Sequence, residues 1–504
     1  MQSDPLVFSK LHSYLISLQE RCQGHTFLMT LHADPNGAHA GGTERHVNMV
    51  QATLWASGHH VIEMFPDKNA MICLRVRQDS QVLFASSFHQ DCIPLLAPFF
   101  ASCMDFLHVH HTLGWSMSAL EGLLQANFSQ KAITLHDFYL LCPSIHMLKE
   151  PSETEFCEVE QDSNVCNHCL RHFHGFRQGS IEKYRQQSLV LLQHADKIIV
   201  PSLAVKKYCQ IAFQPAWLTI ADKVTVLPHD ISYLCKAADK IPEVSIANKS
   251  LVIFIGALSL HKGYHLMVGA ARRLHQEGYQ VEIWGRLLAY HPSLRNVTVR
   301  SYHSPKELRK LFSEHQPAYV IFPFLWPETF SYVFYEMMIL GESAIPIVGK
   351  FGHPAEVIVR TGAGVVLPDM TVAGLHSAFT EAQQGYESIL KHKQRVVAEW
   401  KRGEALYRVE YEKLFSTGLR AKQKSIAAES IDFNSLLFIN SHGQRMGRNK
   451  TANKRSFFHS LWHLVKTRFC HPTRLTFYLG RGMQVFISEG LDGVKHRINK
   501  LFSA

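Results

Sequence analysis

Residues 327–341 read PETFSYVFYEMMILG, and two carboxylates, Glu328 and Glu336, bracket seven mostly apolar or aromatic residues. From Ser331 onward the run is apolar nearly all round (Tyr332, Val333, Phe334, Met337, Met338, Ile339, Leu340), which predicts a helix sandwiched between a sheet and a neighbour. Glu336 inside it must be paired, because an isolated buried carboxylate is too costly to keep charged. Two kinds of partner suit it: a Lys or Arg of the same domain, or a pair of ligand hydroxyls accepted bidentately, as from a ribose. Glu328 precedes the helix, in the loop after the strand AYVIFPF, and carboxyl ends of strands are where open α/β sheets bind ligands.

Working outward, strand-like and helix-like segments alternate on both sides. TFLMTL, a helix near 43–57, HVIEMF, a helix near 91–103, DFLHV, a helix near 115–126, KAITL, KIIV and KVTVLP come first. After the polar stretch KAADKIPEVSIANK (236–249) the pattern restarts with LVIFIGAL, a helix near 263–276, YQVEIWG, VTVRSY, a helix near 305–314, AYVIFPF, the opening helix, SAIPIVG and AGVVLP. Alternation of this kind implies parallel sheets covered by helices, here two sequential α/β domains with a linker near 236–249. The expected domains are 1–240, with a cysteine-containing insertion at 142–169, and 246–416, closed by a long helical segment at 373–416. Residues 417–504 form a third region, a basic tail.

Composition bounds the rest. A chain of 504 residues exceeds one ordinary core, and 46% hydrophobic against 19% charged residues is globular rather than disordered. No apolar run approaches the ~18 residues that would cross a bilayer, and the N-terminus lacks a secretory pattern, so a cytoplasmic protein is expected. The net charge of +10 sits in the tail: residues 441–504 hold twelve Lys and Arg against Glu489 and Asp492, or 12 − 2 = +10. Its segments LWHLVKTRF and YLGRGMQVFISEGLDGVKHRINKLF look like basic amphipathic helices and carry no nucleic-acid reader motif. They suit an anionic membrane surface, which would place the protein peripherally at the inner face, or an ordinary helical appendage.

The frame PETFSYVFYEMMILGESAIPIVGKFGHPAEVI resembles the signature of retaining glycosyltransferases of family 4, which have the GT-B fold. GALSLHKGYHLMVGAARRL is similar to the segment that opens that family's second domain, and GGTERHV to the glycine-rich loop after its first strand. TLHDF, HADKIIVPS and VTVLPHDI match first-domain landmarks, so the resemblance spans about residues 26–415. It implies that Glu336 holds the ribose of a nucleotide-sugar, Glu328 faces the donor sugar and Lys262 meets the diphosphate. Gly256, Phe330 and Ser331 complete the implied donor site, and His136, in TLHDF, is placed close to the reacting sugar.

The chemistry fits these residue types. Departure of a nucleoside diphosphate builds charge on phosphate oxygens, which a fixed cation or helix N-terminus stabilises, and Lys262 lies just ahead of a helix starting near Gly263. No Asp-x-Asp occurs, so metal-independent transfer is expected, with no cofactor required for catalysis. The chain departs from the family at Ala257, where an Arg is usual, leaving Arg286 or another residue to substitute. It departs again at Ser331, where a Gly is usual and where a Ser is suited to cap the helix.

Two further groups stand out. Gly41 and Gly42, after the first strand, would let backbone N–H groups approach an anion or acceptor, and His110 and His111, with Asp137 beside His136, follow other strands. Cys142, Cys157, Cys166 and Cys169 combine a C-x2-C pair with two nearby cysteines, which suits a structural zinc, free thiols or redox-linked disulfides. The expectation is a GT-B glycosyltransferase moving a sugar from a nucleotide-sugar donor to a glycan or lipid-linked acceptor. By resemblance it retains configuration and serves cell-surface polysaccharide assembly such as capsule or lipopolysaccharide. A catalytically weak sugar-nucleotide-binding subunit is the alternative that Ala257 suggests, and an epimerase or phosphorylase of the same fold is a more distant one.

Overall fold

The structure is a computed structural model that describes residues 24–402, apart from 37–40, 79–80, 150–154, 177–178, 235–246 and 288–290, together with residues 13, 14, 17, 410, 411 and 413. The basic tail, and with it the expected membrane-facing segments, lies outside the described residues.

The first sheet begins with β1 (Thr26–Thr30) and β2 (His60–Pro66), joined by helix α1 (Gly42–Ala56). An antiparallel hairpin, β3 (Met71–Gln78) and β4 (Gln81–His89), adds one edge. β5 (Phe106–Val109), β6 (Gln130–Thr134), β9 (Lys197–Val200) and β10 (Val224–Val226) extend the other, giving the order β10-β9-β6-β5-β1-β2-β3-β4. Helices α2 (Ile93–Cys103) and α3 (Met117–Gln125) cover this sheet, as do α5 (Ile181–His194) and α6 (Leu203–Ala212). The insertion carries the two-stranded β7 (Leu148–Lys149) and β8 (Glu155–Phe156) and helix α4 (Ser163–His172).

The second sheet is wholly parallel: β11 (Asn248–Leu258), β12 (Gln280–Leu287), β13 (Thr298–Arg300), β14 (Pro317–Phe322), β15 (Ile345–Val348) and β16 (Val365–Val366), ordered β13-β12-β11-β14-β15-β16. Every residue of β14 and β15 is buried, as strands covered on both faces require. Its helices are α7 (Tyr264–Gln276), α8 (Pro305–His315), α9 (Tyr332–Leu340), α10 (His353–Thr361), α11 (Val372–Gln384) and α12 (Tyr386–Arg402).

Numbered from β11, the second order is 3-2-1-4-5-6, the doubly wound pattern whose direction reverses between β11 and β14. The first sheet reverses likewise between β1 and β5. Reversals open a crevice at the carboxyl ends of the strands, so topology alone directs attention to the loops after β11, β14, β1 and β5. Helix α9 is the opening apolar run: all but Val333 of its residues are buried, Phe334 and Met337 completely, each worth roughly 1.5–3 kcal/mol.

The long helical segment expected at 373–416 is interrupted at Gly385, the residue between α11 and α12. Nor does the segment close only the second domain. Tyr411 is buried against the first, its hydroxyl 2.9 Å from His108 Nδ1.

Candidate active site

The loop after β11 is held by a glycine. Gly263 has φ +79°, and a Cβ there would lie 1.7 Å from the Pro323 carbonyl oxygen, so no side chain fits. The His261 carbonyl accepts the N–H groups of Leu325 (3.1 Å) and Trp326 (3.3 Å), fastening this loop to the one after β14. The fastening sets Lys262 Nζ 3.0 Å from Glu328 Oε1, which also accepts the Trp326 indole N–H at 2.9 Å. Glu328 is further fixed through its own carbonyl, which accepts the His353 N–H at 2.8 Å. Gly256 (φ +110°) pairs with Gly285 (φ +130°), where a Cβ would meet the Gly256 carbonyl at 2.3 Å. Ala257 and Arg286 are neighbours across these strands and both are exposed, so Arg286 does not enter the ion-pair group around Glu328.

Glu336 is buried, and its partner corrects the first expectation. The cation is not from the same domain: Arg45 of α1 reaches over, with Nη1 2.5 Å from Glu336 Oε1. The Tyr233 hydroxyl donates to the same oxygen at 3.2 Å, and the guanidinium lies 5.3 Å and 5.6 Å from the ring centres of Tyr332 and Tyr233. Burial disfavours the charge of Arg45, yet Glu336 outweighs it and holds the guanidinium above its ordinary value.

Ser331 occupies the residue before α9, but it does not cap it. Its backbone is left-handed (φ +72°, ψ +86°), the conformation a glycine would adopt freely, and its buried Oγ makes no hydrogen bond. Phe330 packs against both Tyr335 (4.6 Å) and His353 (5.5 Å), whose rings lie 5.9 Å from each other, and faces His229 of the first domain at 4.8 Å.

On the first-domain side, the Gly41 N–H donates to the Glu44 carboxylate at 2.6 Å, so the amide expected to meet an anion is engaged by its own helix. Gly42 lies beside Tyr332 of the second domain: a Cβ there would make ordinary contact with its ring at 3.6 Å. His110 and His136 follow β5 and β6, with His110 Nδ1 3.2 Å from His136 Nε2. The Thr329 hydroxyl donates to the His136 carbonyl at 2.6 Å, which places His136 beside the residue next to Glu328. His111 Nε2 lies 2.9 Å from Asp137 Oδ2. Burial pushes His136 and His110 well below the ordinary imidazole value, with neighbouring histidines adding to the effect.

Lys262 meets Glu328, Thr329 meets His136 and His136 meets His110 in one chain of contacts, while Phe330 against His229 and Glu336 with Arg45 bridge the same two domains. Sequence reading missed Arg45, Tyr233, Trp326, His229 and the stack of His146 on His261, whose rings lie 3.8 Å apart and 10° from parallel. Arg45 stood inside the quoted GGTERHV, but nothing local says that it reaches a carboxylate 291 positions away.

The cysteines stay apart from this cleft chemistry. None of the four is in a disulfide; Cys142 Sγ lies 3.2 Å from Ser144 Oγ and the Cys166 thiol donates to the Glu160 carbonyl at 3.5 Å. Burial pushes the Cys142 and Cys157 thiols up, and Cys166 to about 11. No three of these sulfurs come within 4.8 Å of one another.

No protein-family model and no curated protein matches the chain. Among solved structures it is similar to sucrose-phosphate synthase from Thermosynechococcus elongatus, with a TM-score of 0.51 and 16% identity over 78% of this chain and 98% of that one. It is similar also to a glycosyltransferase from Rickettsia africae, with a TM-score of 0.51 and 14% identity over 79% of this chain and all of the other. At such identities the likeness is one of fold: the chain has the GT-B fold of glycosyltransferases, two Rossmann-like domains with a cleft between them. Among the described residues no helix is long and apolar enough to cross a membrane.

Proposed function

We propose that the protein is a glycosyltransferase of the family 4 type, moving a sugar with retention from a nucleoside-diphosphate donor to a glycan or lipid-linked acceptor in cell-surface polysaccharide assembly. The observation that carries this reading is the joint placement of Lys262, Glu328 and Glu336 at the reversal point of the second sheet, opposite His136 of the first. Glu336 accepts the ribose hydroxyls through the carboxylate that Arg45 now engages. Lys262 exchanges Glu328 for the diphosphate, where negative charge grows as the bond from the anomeric carbon to the phosphate oxygen breaks. Glu328, relieved of the lysine, faces the donor sugar, and the incoming acceptor hydroxyl passes its proton to the departing phosphate oxygen as it bonds to that carbon. Closure of the two domains excludes the water that would otherwise hydrolyse the donor. Arg45 is the cation on the cleft wall that can stand in for the arginine missing at position 257.

The test is a panel of UDP-, GDP- and other nucleotide sugars, scored for thermal stabilisation and turnover. A donor should stabilise the wild type and not Glu336→Ala. Absence of any stabilising donor, or indifference to the substitution, overturns the site. Stabilisation without turnover would favour the binding-subunit reading that exposed, uncharged Ala257 suggests.

A further inference from the structure

Under the cleft floor, histidines converge from four places in the first domain: His46 of α1, His110 after β5, His136 after β6 and His229 after β10. The His46 ring centre lies 4.0 Å from His229, 5.0 Å from His136 and 5.7 Å from His110. One ligating nitrogen from each of His46, His110 and His136 falls within 4.8 Å of the other two. The three side chains are 3%, 0% and 7% exposed, so bulk water does not solvate them.

This grouping is hard to explain as a hydrogen-bond network. A neutral imidazole has one donor and one acceptor, and burial enforces the neutral form here, pushing His46 to about 3. His110 and His136 pair with each other through one nitrogen apiece, while His110 Nε2, His136 Nδ1 and His229 Nδ1 have no hydrogen-bond partner. Each such buried atom costs roughly 1–3 kcal/mol. Three neutral imidazoles, each with one ring nitrogen within 4.8 Å of the others, are a donor set that a borderline divalent metal takes. Two nitrogens bound tetrahedrally at ~2.0–2.1 Å stand roughly 3.3 Å apart, and His110 Nδ1 and His136 Nε2 are 3.2 Å apart. A cavity of about 10 Å³ bordered by His110, Thr112, Thr134 and His136 has room for about one water, which an outer ring N–H or an open coordination position requires.

We infer that His46, His110 and His136 form a binding site for one divalent transition metal of imidazole-preferring character, Zn²⁺ or Co²⁺ rather than Mg²⁺ or Ca²⁺. The fourth position is left to water or to a group entering from the cleft. The site sits at the carboxyl ends of β5 and β6, behind His229, whose ring meets Phe330 and Tyr332 of the second domain. It is separate from the four cysteines and stands whether or not the protein transfers sugar.

Metal-stripped full-length protein titrated with Co²⁺ tests it. One equivalent should bind with visible ligand-field absorption and without thiolate charge-transfer bands, and Zn²⁺ should displace it and raise the melting temperature. His46→Asn and His110→Asn, checked for folding by circular dichroism, should each weaken Co²⁺ binding at least about 100-fold, since losing even an outer partner of a metal-bound histidine costs 10–100-fold. Folded wild type that binds no metal, a thiolate spectrum, or unchanged affinity in both folded variants overturns the site.

Discussion

Arg45 Nη1 and Glu336 Oε1 lie 2.5 Å apart across the cleft, so the carboxylate in the middle of an apolar helix is neutralised by the opposite domain. The pair makes domain closure and the charge state of Glu336 one problem. Removing either partner leaves the other short of a charge-assisted bond in a largely dry place, while removing both leaves nothing stranded. Arg45→Gln and Glu336→Gln should each cost about 1–2 kcal/mol, the lower end because the arginine side chain is 38% exposed. The double variant should cost less than the sum, and additive losses in parallel denaturation curves would mean that the contact contributes nothing.

Gly263 decides where Lys262 points. A Cβ 1.7 Å from the Pro323 carbonyl, on a backbone at φ +79°, cannot be accommodated by rotating a side chain, because the obstacle is backbone. Gly263→Ala should therefore destabilise by about 2–4 kcal/mol and push the loop after β11 away from the one after β14. The melting temperature should fall by several degrees, and donor stabilisation should drop together with it. A variant that melts like the wild type would show that the two loops are not locked.

Those two residues mark what the sequence made legible. Glu328, Glu336 and the lysine-glycine step at 262–263 stood out because each breaks a local pattern: an acid in an apolar run, or a cation and a glycine where a strand turns into a helix. The two α/β domains followed from alternation alone. Arg45, Tyr233 and His229 break no local pattern; their meaning comes from a helix start, a post-strand loop and a second domain being folded together. The hairpin β3–β4 lies outside the alternation of strands and helices, and the break at Gly385 lies in a segment whose neighbours are otherwise good helix formers. Ser331 shows the limit from the other side: a serine at a helix start suggests a cap, but its left-handed backbone turns the hydroxyl away from the helix amides.

Lys393 of α12 is buried and donates to the carbonyl of Gly341, at the end of α9, and to that of Ala344 at 2.6 Å. It thereby fastens α12 to the carboxyl end of the helix that carries Glu336. Burial lowers its ammonium to about 7, against the opposing pull of Glu342. With the folded value depressed below an unfolded one of about 10.4, the unfolded chain binds the extra proton between these values, so stability rises as pH climbs above about 7. The gain should approach about 1.4 kcal/mol per pH unit between pH 7 and 9. Lys393→Met should flatten that slope in denaturant titrations, and an unchanged slope would place the titration elsewhere.

His146 of the first domain and His261 of the second stack 3.8 Å apart, and both stand edge-on to Trp326, whose indole N–H holds Glu328. The stack is an interdomain contact made of two neutral imidazoles. Burial lowers His146 to about 4, with Asp137 and Glu328 pulling the other way; burial lowers His261 to about 2, helped by His146 and Lys262. The unfolded values are near 6.5, so from that pH downward the unfolded chain takes up protons the folded pair refuses, and stability is lost as pH falls toward 4. His146→Phe keeps a flat ring against His261 and removes one titrating group. Between pH 7 and 5 the variant should lose about 2 kcal/mol less stability than the wild type, visible as a smaller drop in melting temperature. Equal drops would show that His146 is free to protonate in the folded protein, and the stack would then not join the domains near Glu328.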